Sequence, residues 1–218
     1  MKLGGCTMRT LSVGDCVRYG WETFKQRPWI LIGGFLLAMI ISAIPGLFVP
    51  TPEIGPDGQV IPQPLTTLEI VMSFASIVVS IFVGLGLTTF SLRAHDNIQG
   101  VQIADLWNPG PFWRFLGAHI LTLIAIAIGF VLLIVPGIIL SLGLAFVPYL
   151  VVERGLGPIE SMKESWRITK GHKWQLALLF LALLGINLLG VLALVVGIFI
   201  AVPVTIIAFA HAYRTLAT

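Results

Sequence analysis

The chain has 218 residues, of which 57% are hydrophobic and 11% charged, with a formal net charge of +3. Soluble domains carry about 25% charged residues, so the charge is too sparse and the apolar runs too long for one. No basic run interleaved with aromatics marks a nucleic-acid groove, and Cys6 and Cys16, both in the charged N-terminal segment, offer neither a disulfide framework nor a zinc-ligand spacing.

Residues 1–28 hold Lys2, Arg9, Arg18, Lys25 and Arg27 without an uninterrupted apolar stretch, so no signal peptide is expected. Within them an amphipathic helix is predicted: Val13, Val17, Trp21 and Phe24 share one face, Arg18, Glu22 and Lys25 the other, and Ser12 suits the N-cap. Two charge-free blocks follow, Trp29–Val49 and Ile70–Leu92. Each has the roughly 20 residues that a ~30 Å hydrocarbon core requires. The Pro- and Gly-rich segment between them is predicted as an outer loop over 50–67.

The third block, Phe115–Val152, and the fourth, Trp174–Tyr213, are also free of Asp, Glu, Lys and Arg. A single helix over the third would be about 57 Å long at ~1.5 Å per residue, too long for one crossing. Two crossings with a tight turn fit each block; a re-entrant hairpin is the alternative. Pro136-Gly137 is the predicted break in the third, because Pro opens a helix better than it continues one. Asn187, Gly190 and Gly197 are candidates in the fourth. A second amphipathic helix is predicted from Pro158, with Ile159, Met162 and Trp166 on one face, Glu160, Lys163, Glu164 and Arg167 opposite, and Gly171 as the stop. Such helices either lie in the interface with their apolar face in lipid or pack on the chain's own bundle.

The predicted fold is therefore an all-α integral membrane domain spanning 1–218, with six transmembrane helices as three hairpins, each preceded by a cytoplasmic amphipathic helix. With both ends inside, every Lys and Arg of the chain falls on the cytoplasmic face, as the positive-inside rule requires. The expected location is thus the bacterial cytoplasmic (inner) membrane. Trp21, Trp29, Trp107, Trp113, Trp166 and Trp174 fall near the same face as interfacial anchors. A threefold internal repeat is expected, with units of about 10–93, 101–153 and 157–214. Trp21, Lys25 and Trp29 recur as Trp166, Lys170 and Trp174 at the same offsets, and the middle copy is more divergent.

Small residues recur every fourth position in the second helix of each pair, first at Ser76, Ser80, Gly84 and Thr88. This spacing allows close helix packing, within the bundle or between subunits. No apolar block carries an ionisable group at membrane depth other than the histidines near its ends. His95, His119, His172 and His211 show no metal-ligand spacing, and no nucleophile–base pair or phosphate loop is present. Asn187 is expected to bond a neighbouring helix or a turn carbonyl. No enzyme activity and no cofactor are expected. Asp96, Asp105, Glu153, Glu160 and Glu164 read as helix-surface charges paired with Lys and Arg.

Val135-Pro136-Gly137-Ile138, Phe146-Val147-Pro148-Tyr149 and Gly157 through Trp166, together with Gly20 through Lys25, resemble uncharacterised bacterial integral-membrane families related to the membrane domain of glycerophosphoryl diester phosphodiesterase. In the enzyme-bearing members catalysis belongs to a separate soluble barrel, which is expected to be absent here. The resemblance therefore implies a membrane module and carries over no phosphodiesterase residue. The leading expectation is a non-enzymatic module that scaffolds or modulates other membrane subunits. The alternative is a transporter or binder of a lipid or other apolar molecule, with Lys25, Arg27, Lys170 and Lys173 as headgroup contacts. A continuous cavity between helix pairs favours the second and a filled bundle the first; a lipid-modifying enzyme would need a carboxylate or His cluster at an interfacial pocket.

Overall fold

The structure, a computed structural model, describes residues 11–48, 66–107 and 110–217. Nine α-helices are described: α1 (Val13–Gln26), α2 (Pro28–Ala43), α3 (Thr67–Asp96), α4 (Phe112–Leu132), α5 (Ile134–Gly143), α6 (Val147–Arg154), α7 (Pro158–Thr169), α8 (Lys173–Leu192) and α9 (Leu194–Ala217). No strand occurs among the described residues. Six helical stretches are long and apolar enough to cross a membrane: α2 with the short turn after it, α3, α4, α5 with α6, α8, and α9 from Gly197.

Local chemistry sets several of the helix boundaries. The Ser12 hydroxyl accepts the Asp15 N–H at 3.4 Å and opens α1. Pro28 at the first position of α2 forces its predecessor out of the helical region, so Arg27 separates α1 from α2 with φ −144°. Thr66 and Glu69 cap each other's backbone N–H at the start of α3. The expected outer loop over 50–67 thus ends at this cap, and its other residues lie outside the described ones. Pro158 opens α7, and Gly171, at φ +87°, follows its end as predicted.

The two tight turns fall elsewhere than expected. The third block breaks at Leu133, which is extended at φ −169° and ψ 154°; Pro136 sits within the first turn of α5, where its missing N–H costs no ladder bond. In the fourth block the turn is at Ala193, between the candidates Gly190 and Gly197. Those two glycines instead let α8 and α9 meet: a Cβ on Gly197 would lie 2.2 Å from the Gly190 carbonyl oxygen. Asn187 donates to the Thr205 hydroxyl of α9 at 2.8 Å and to its own Leu183 carbonyl, a neighbouring-helix bond as expected.

A further departure is the fourth span. It is broken between α5 and α6 at Leu144–Phe146, just before Pro148. The middle amphipathic helix is also absent: between α3 and α4 the described residues form two short 3-10 turns, Ile98–Gly100 and Ile103–Leu106.

The amphipathic helices α1 and α7 dock with most of the predicted apolar face and, buried more deeply, the small residues beside it. In α1 the buried residues are Cys16, Gly20, Thr23 and Phe24, with Trp21 exposed. In α7 they are Ser161, Ser165 and Thr169, with Ile159 exposed. Small and hydroxyl-bearing residues admit close backbone approach to the bundle; Val13, Val17 and Met162 pack beside them, and of the predicted faces Trp21 and Ile159 point outward. Helix α9 lies at the centre, packed on α1, α2, α3 and α8. Its Val204, Ile207, Ala208, Ala210, Ala212 and Tyr213 are buried.

Two predictions follow from this packing. Gly197→Val must push α9 off the Gly190 carbonyl and is expected to cost about 1–3 kcal/mol, read as a lowered thermal midpoint in detergent. Cys16 is 1% exposed, and burial pushes its thiol up to about 11. In a Cys6→Ser background it should resist maleimide at pH 8 in the folded protein and react fully in SDS.

Candidate functional site

Two features stand out, and helix α7 links the break in the fourth span to the first of them. That break frees backbone groups inside an apolar bundle, where unpaired ones are costly. Ser165 supplies the bonds: its hydroxyl donates to the Gly143 carbonyl at 2.8 Å and accepts the Phe146 N–H at 3.3 Å. Thr169 donates to the Ser165 carbonyl at 2.8 Å. With α7 so placed, the Trp166 indole lies against Gly143, where a Cβ would stand 2.4 Å from the ring. Any larger residue at 143 would displace the indole.

Lys173 completes the stack, its Nζ lying 3.2 Å from the centroid of Trp166, a cation–π contact. The next residue, Trp174, lines an apolar groove of about 690 Å³ between the α4–α5 pair and α8. Phe130 of α4, Ile138 and Ser141 of α5, Ala145 of the break, and Ala177 and Leu181 of α8 line it too. Its volume falls in the roughly 300–1,000 Å³ range of small-molecule sites. Ser141 spends its hydroxyl on the Ile138 carbonyl at 2.8 Å, so the wall is effectively apolar. A smaller cavity of about 180 Å³, bordered by His119, Thr122 and Pro148, shares Ser141 and Ala145 with the groove.

The second feature is a polar network at the helix ends. His95 of α3 and His211 of α9 face each other with Nε2 and Nδ1 3.0 Å apart. Tyr19 of α1 stacks on His211 and donates its hydroxyl to the His95 carbonyl at 2.7 Å. Burial pushes the Tyr19 phenol pKa up. The Arg214 guanidinium bridges Asp96 of α3 and Glu153 of α6, and Tyr213 donates to Glu153. Three more arginines tie helix ends together. Arg27 donates to the Gln99 carbonyl at 2.7 Å, Arg114 to the Gly155 carbonyl at 2.5 Å, and Arg154 to the Ala217 carbonyl at 2.9 Å. On α7 the hydrogen bonds from Arg167 hold the Glu164 carboxyl below the usual carboxylate range, with Arg154 adding to the effect.

The sequence-derived candidates are distributed as follows. Trp21, Trp29, Trp107, Trp113, Trp166 and Trp174 are all exposed, and Trp29, Trp113 and Trp174 each occupy the second position of a spanning helix. Lys25 and Lys170 are exposed. Arg27 is engaged by backbone carbonyls and Lys173 by Trp166, so the two basic pairs are used separately. Among Ser76, Ser80, Gly84 and Thr88, Ser80 is exposed and the others are half-buried; the tightest approach on α3 is at Gly86, against the Leu106 carbonyl. Of the five carboxylates read as paired, Asp96, Asp105, Glu153 and Glu164 are held by arginine, through Arg214, Arg93 and Arg167, whereas Glu160 accepts the Gly157 N–H at 3.2 Å at the start of α7.

Sequence reading did not bring His95, His211 and Tyr19 together. The two histidines are 116 positions apart, and the usable hint was that each sits in the last turns of a spanning helix with an arginine nearby. No group of three or more His, Cys, Asp or Glu suited to hold a metal ion occurs among the described residues.

Comparison with known proteins places the chain. Residues 59–217 match the family model described as domain of unknown function DUF7847. The chain belongs to that family. It is also 27% identical to the uncharacterized protein Rv2560 of Mycobacterium tuberculosis, over 94% of this chain and 68% of that protein. The uncharacterized protein Mb2590 of Mycobacterium bovis matches with the same identity and coverage. No solved structure matches. These matches support an uncharacterised family and show no link to glycerophosphoryl diester phosphodiesterase.

Because Arg214 spans two helices and its side chain is only 26% exposed, Arg214→Ala is expected to destabilise the protein by about 2 kcal/mol. The measurement is the thermal midpoint in detergent. Arg18→Ala, which removes an exposed pair within α1, should leave the midpoint unchanged.

Proposed function

We propose that this chain is a non-catalytic, multi-pass module of the bacterial inner membrane that holds a lipid or other apolar molecule in the groove beside α8. The groove itself carries the reading: it lies between helix pairs, is walled by apolar side chains, and ends at Trp174. Of the two expectations set by the sequence, a cavity between helix pairs favours ligand binding over a filled scaffold.

The proposed topology is three hairpins, α2–α3, α4 with α5–α6, and α8–α9, with both termini cytoplasmic. The arginine ties support it, since they join the start of α2 to the end of α3, the start of α4 to the end of α6, and the end of α9 to those of α3 and α6. At ~1.5 Å per residue, α4 and α8, of 21 and 20 residues, are each long enough for a full crossing, which favours spanning over re-entrant hairpins. The threefold repeat is supported by Trp at the second position of α2, α4 and α8. The missing middle amphipathic helix marks the second unit as the divergent one.

A scaffolding role toward other membrane subunits is the second reading. The outer half of α3 favours it, where Phe74 is 70% exposed and Ser80 faces outward on the small-residue stripe.

The test is native mass spectrometry after extraction in mild detergent. Ala177→Trp, which fills the groove, is expected to reduce retained lipid at least about tenfold, whereas Leu189→Trp, on the same helix away from it, should leave retention unchanged. Equal retention in both variants would reject the groove as the site. A co-purifying subunit lost on Ser80→Trp would support the second reading.

A further inference from the structure

We propose that the groove selects anionic phospholipid, with an acyl chain along α8 and the phosphate at Lys173 and Lys170. This deepens the proposed function and rests on it. Lys173 directly precedes the groove-lining Trp174, and Trp166, on which its ammonium lies, touches α5 at Gly143, one residue from the groove-lining Leu142. Among the described residues no carboxylate lies within 4.0 Å of the Lys173 or Lys170 ammonium. The nearby carboxylate of α7, Glu164, is already taken by Arg154 and Arg167. A net positive mouth on an apolar channel favours an anionic amphiphile over a zwitterionic one, whose own ammonium offsets its phosphate.

Two further atoms point the same way. His172 Nδ1 and Gln175 Oε1 flank Lys173 and Trp174, and both are buried without a hydrogen-bond partner among the described residues. Buried polar atoms in native structures are ordinarily bonded. A side-chain rotation that opens them would let a headgroup seated at Lys173 offer phosphate oxygens to the His172 ring N–H and a glycerol hydroxyl to the Gln175 carbonyl. The exposed Trp174 and the stacked Trp166 set the depth at which the headgroup rests, as indole does at the membrane interface.

The experiment titrates the detergent-solubilised full chain with phosphatidylglycerol and with phosphatidylcholine of identical acyl chains, followed by native mass spectrometry. Phosphatidylglycerol is expected to bind more tightly. Lys173→Gln should lower its affinity about fivefold, and Lys170→Gln with Lys173→Gln about 25-fold, with phosphatidylcholine unchanged and the thermal midpoint preserved. Lys173→Arg, which keeps the charge, should keep the preference. Equal affinity for the two lipids, or a Lys173→Arg variant as impaired as Lys173→Gln, would overturn the headgroup assignment; if Ala177→Trp still abolished both lipids, the groove reading would stand without it. Binding of neither lipid would overturn both.

Discussion

The pair of hydrogen bonds from Ser165 into the broken fourth span is the constraint on which the groove region depends. A helix interrupted within an apolar bundle exposes carbonyl and N–H groups that have no water to turn to. A serine brought from another helix is small enough to reach them and both donates and accepts. That requirement fixes α7 against the bundle along its Ser161, Ser165 and Thr169 edge. The rest follows in sequence: Trp166 is laid on Gly143, Lys173 on Trp166, and Trp174 at the end of the groove.

The same constraint changes which part of an amphipathic helix is buried most deeply. In a soluble domain the large apolar face turns inward. Here α7 turns its hydroxyl edge inward and leaves Ile159 outward, and α1 likewise buries Cys16, Gly20 and Thr23 while Trp21 is exposed. Close backbone approach and hydrogen bonding add to bulk in deciding burial. The apolar periodicity in the sequence therefore located both helices, and the small residues beside the apolar face decide which edge is buried most deeply.

Much of the architecture was legible for physical reasons. Charge-free runs of spanning length give the crossings, and Ser12, Thr66 and Pro158 mark helix starts by their caps and fixed φ. Asn187 was readable because an amide at membrane depth has to find a partner. The tight turns were less legible: Pro136 and Gly190 suggested breaks, yet proline is tolerated throughout a first turn and glycine serves close packing as well as turning. The break before Pro148 was hidden because its hydrogen bonds come from Ser165, about twenty positions away. The His95–His211 contact lay beyond any local pattern, since only the packing of α3 on α9 creates it.

The contact between α1 and α9 has a consequence for how the chain is made. Helix α1 leaves the ribosome before α9, the partner against which its Gly20 edge packs. A Cβ on Gly20 would stand 2.6 Å from the Val204 carbonyl, so that edge is shaped for α9. Until α9 is made, α1 lacks the partner that covers most of this edge. Arg214, in turn, cannot join Asp96 and Glu153 until the same moment. Assembly is thus a late closure of the first described helix on the last, and a chain stalled before α9 would present both an uncovered helix edge and two unneutralised carboxylates to the quality-control machinery of the cell.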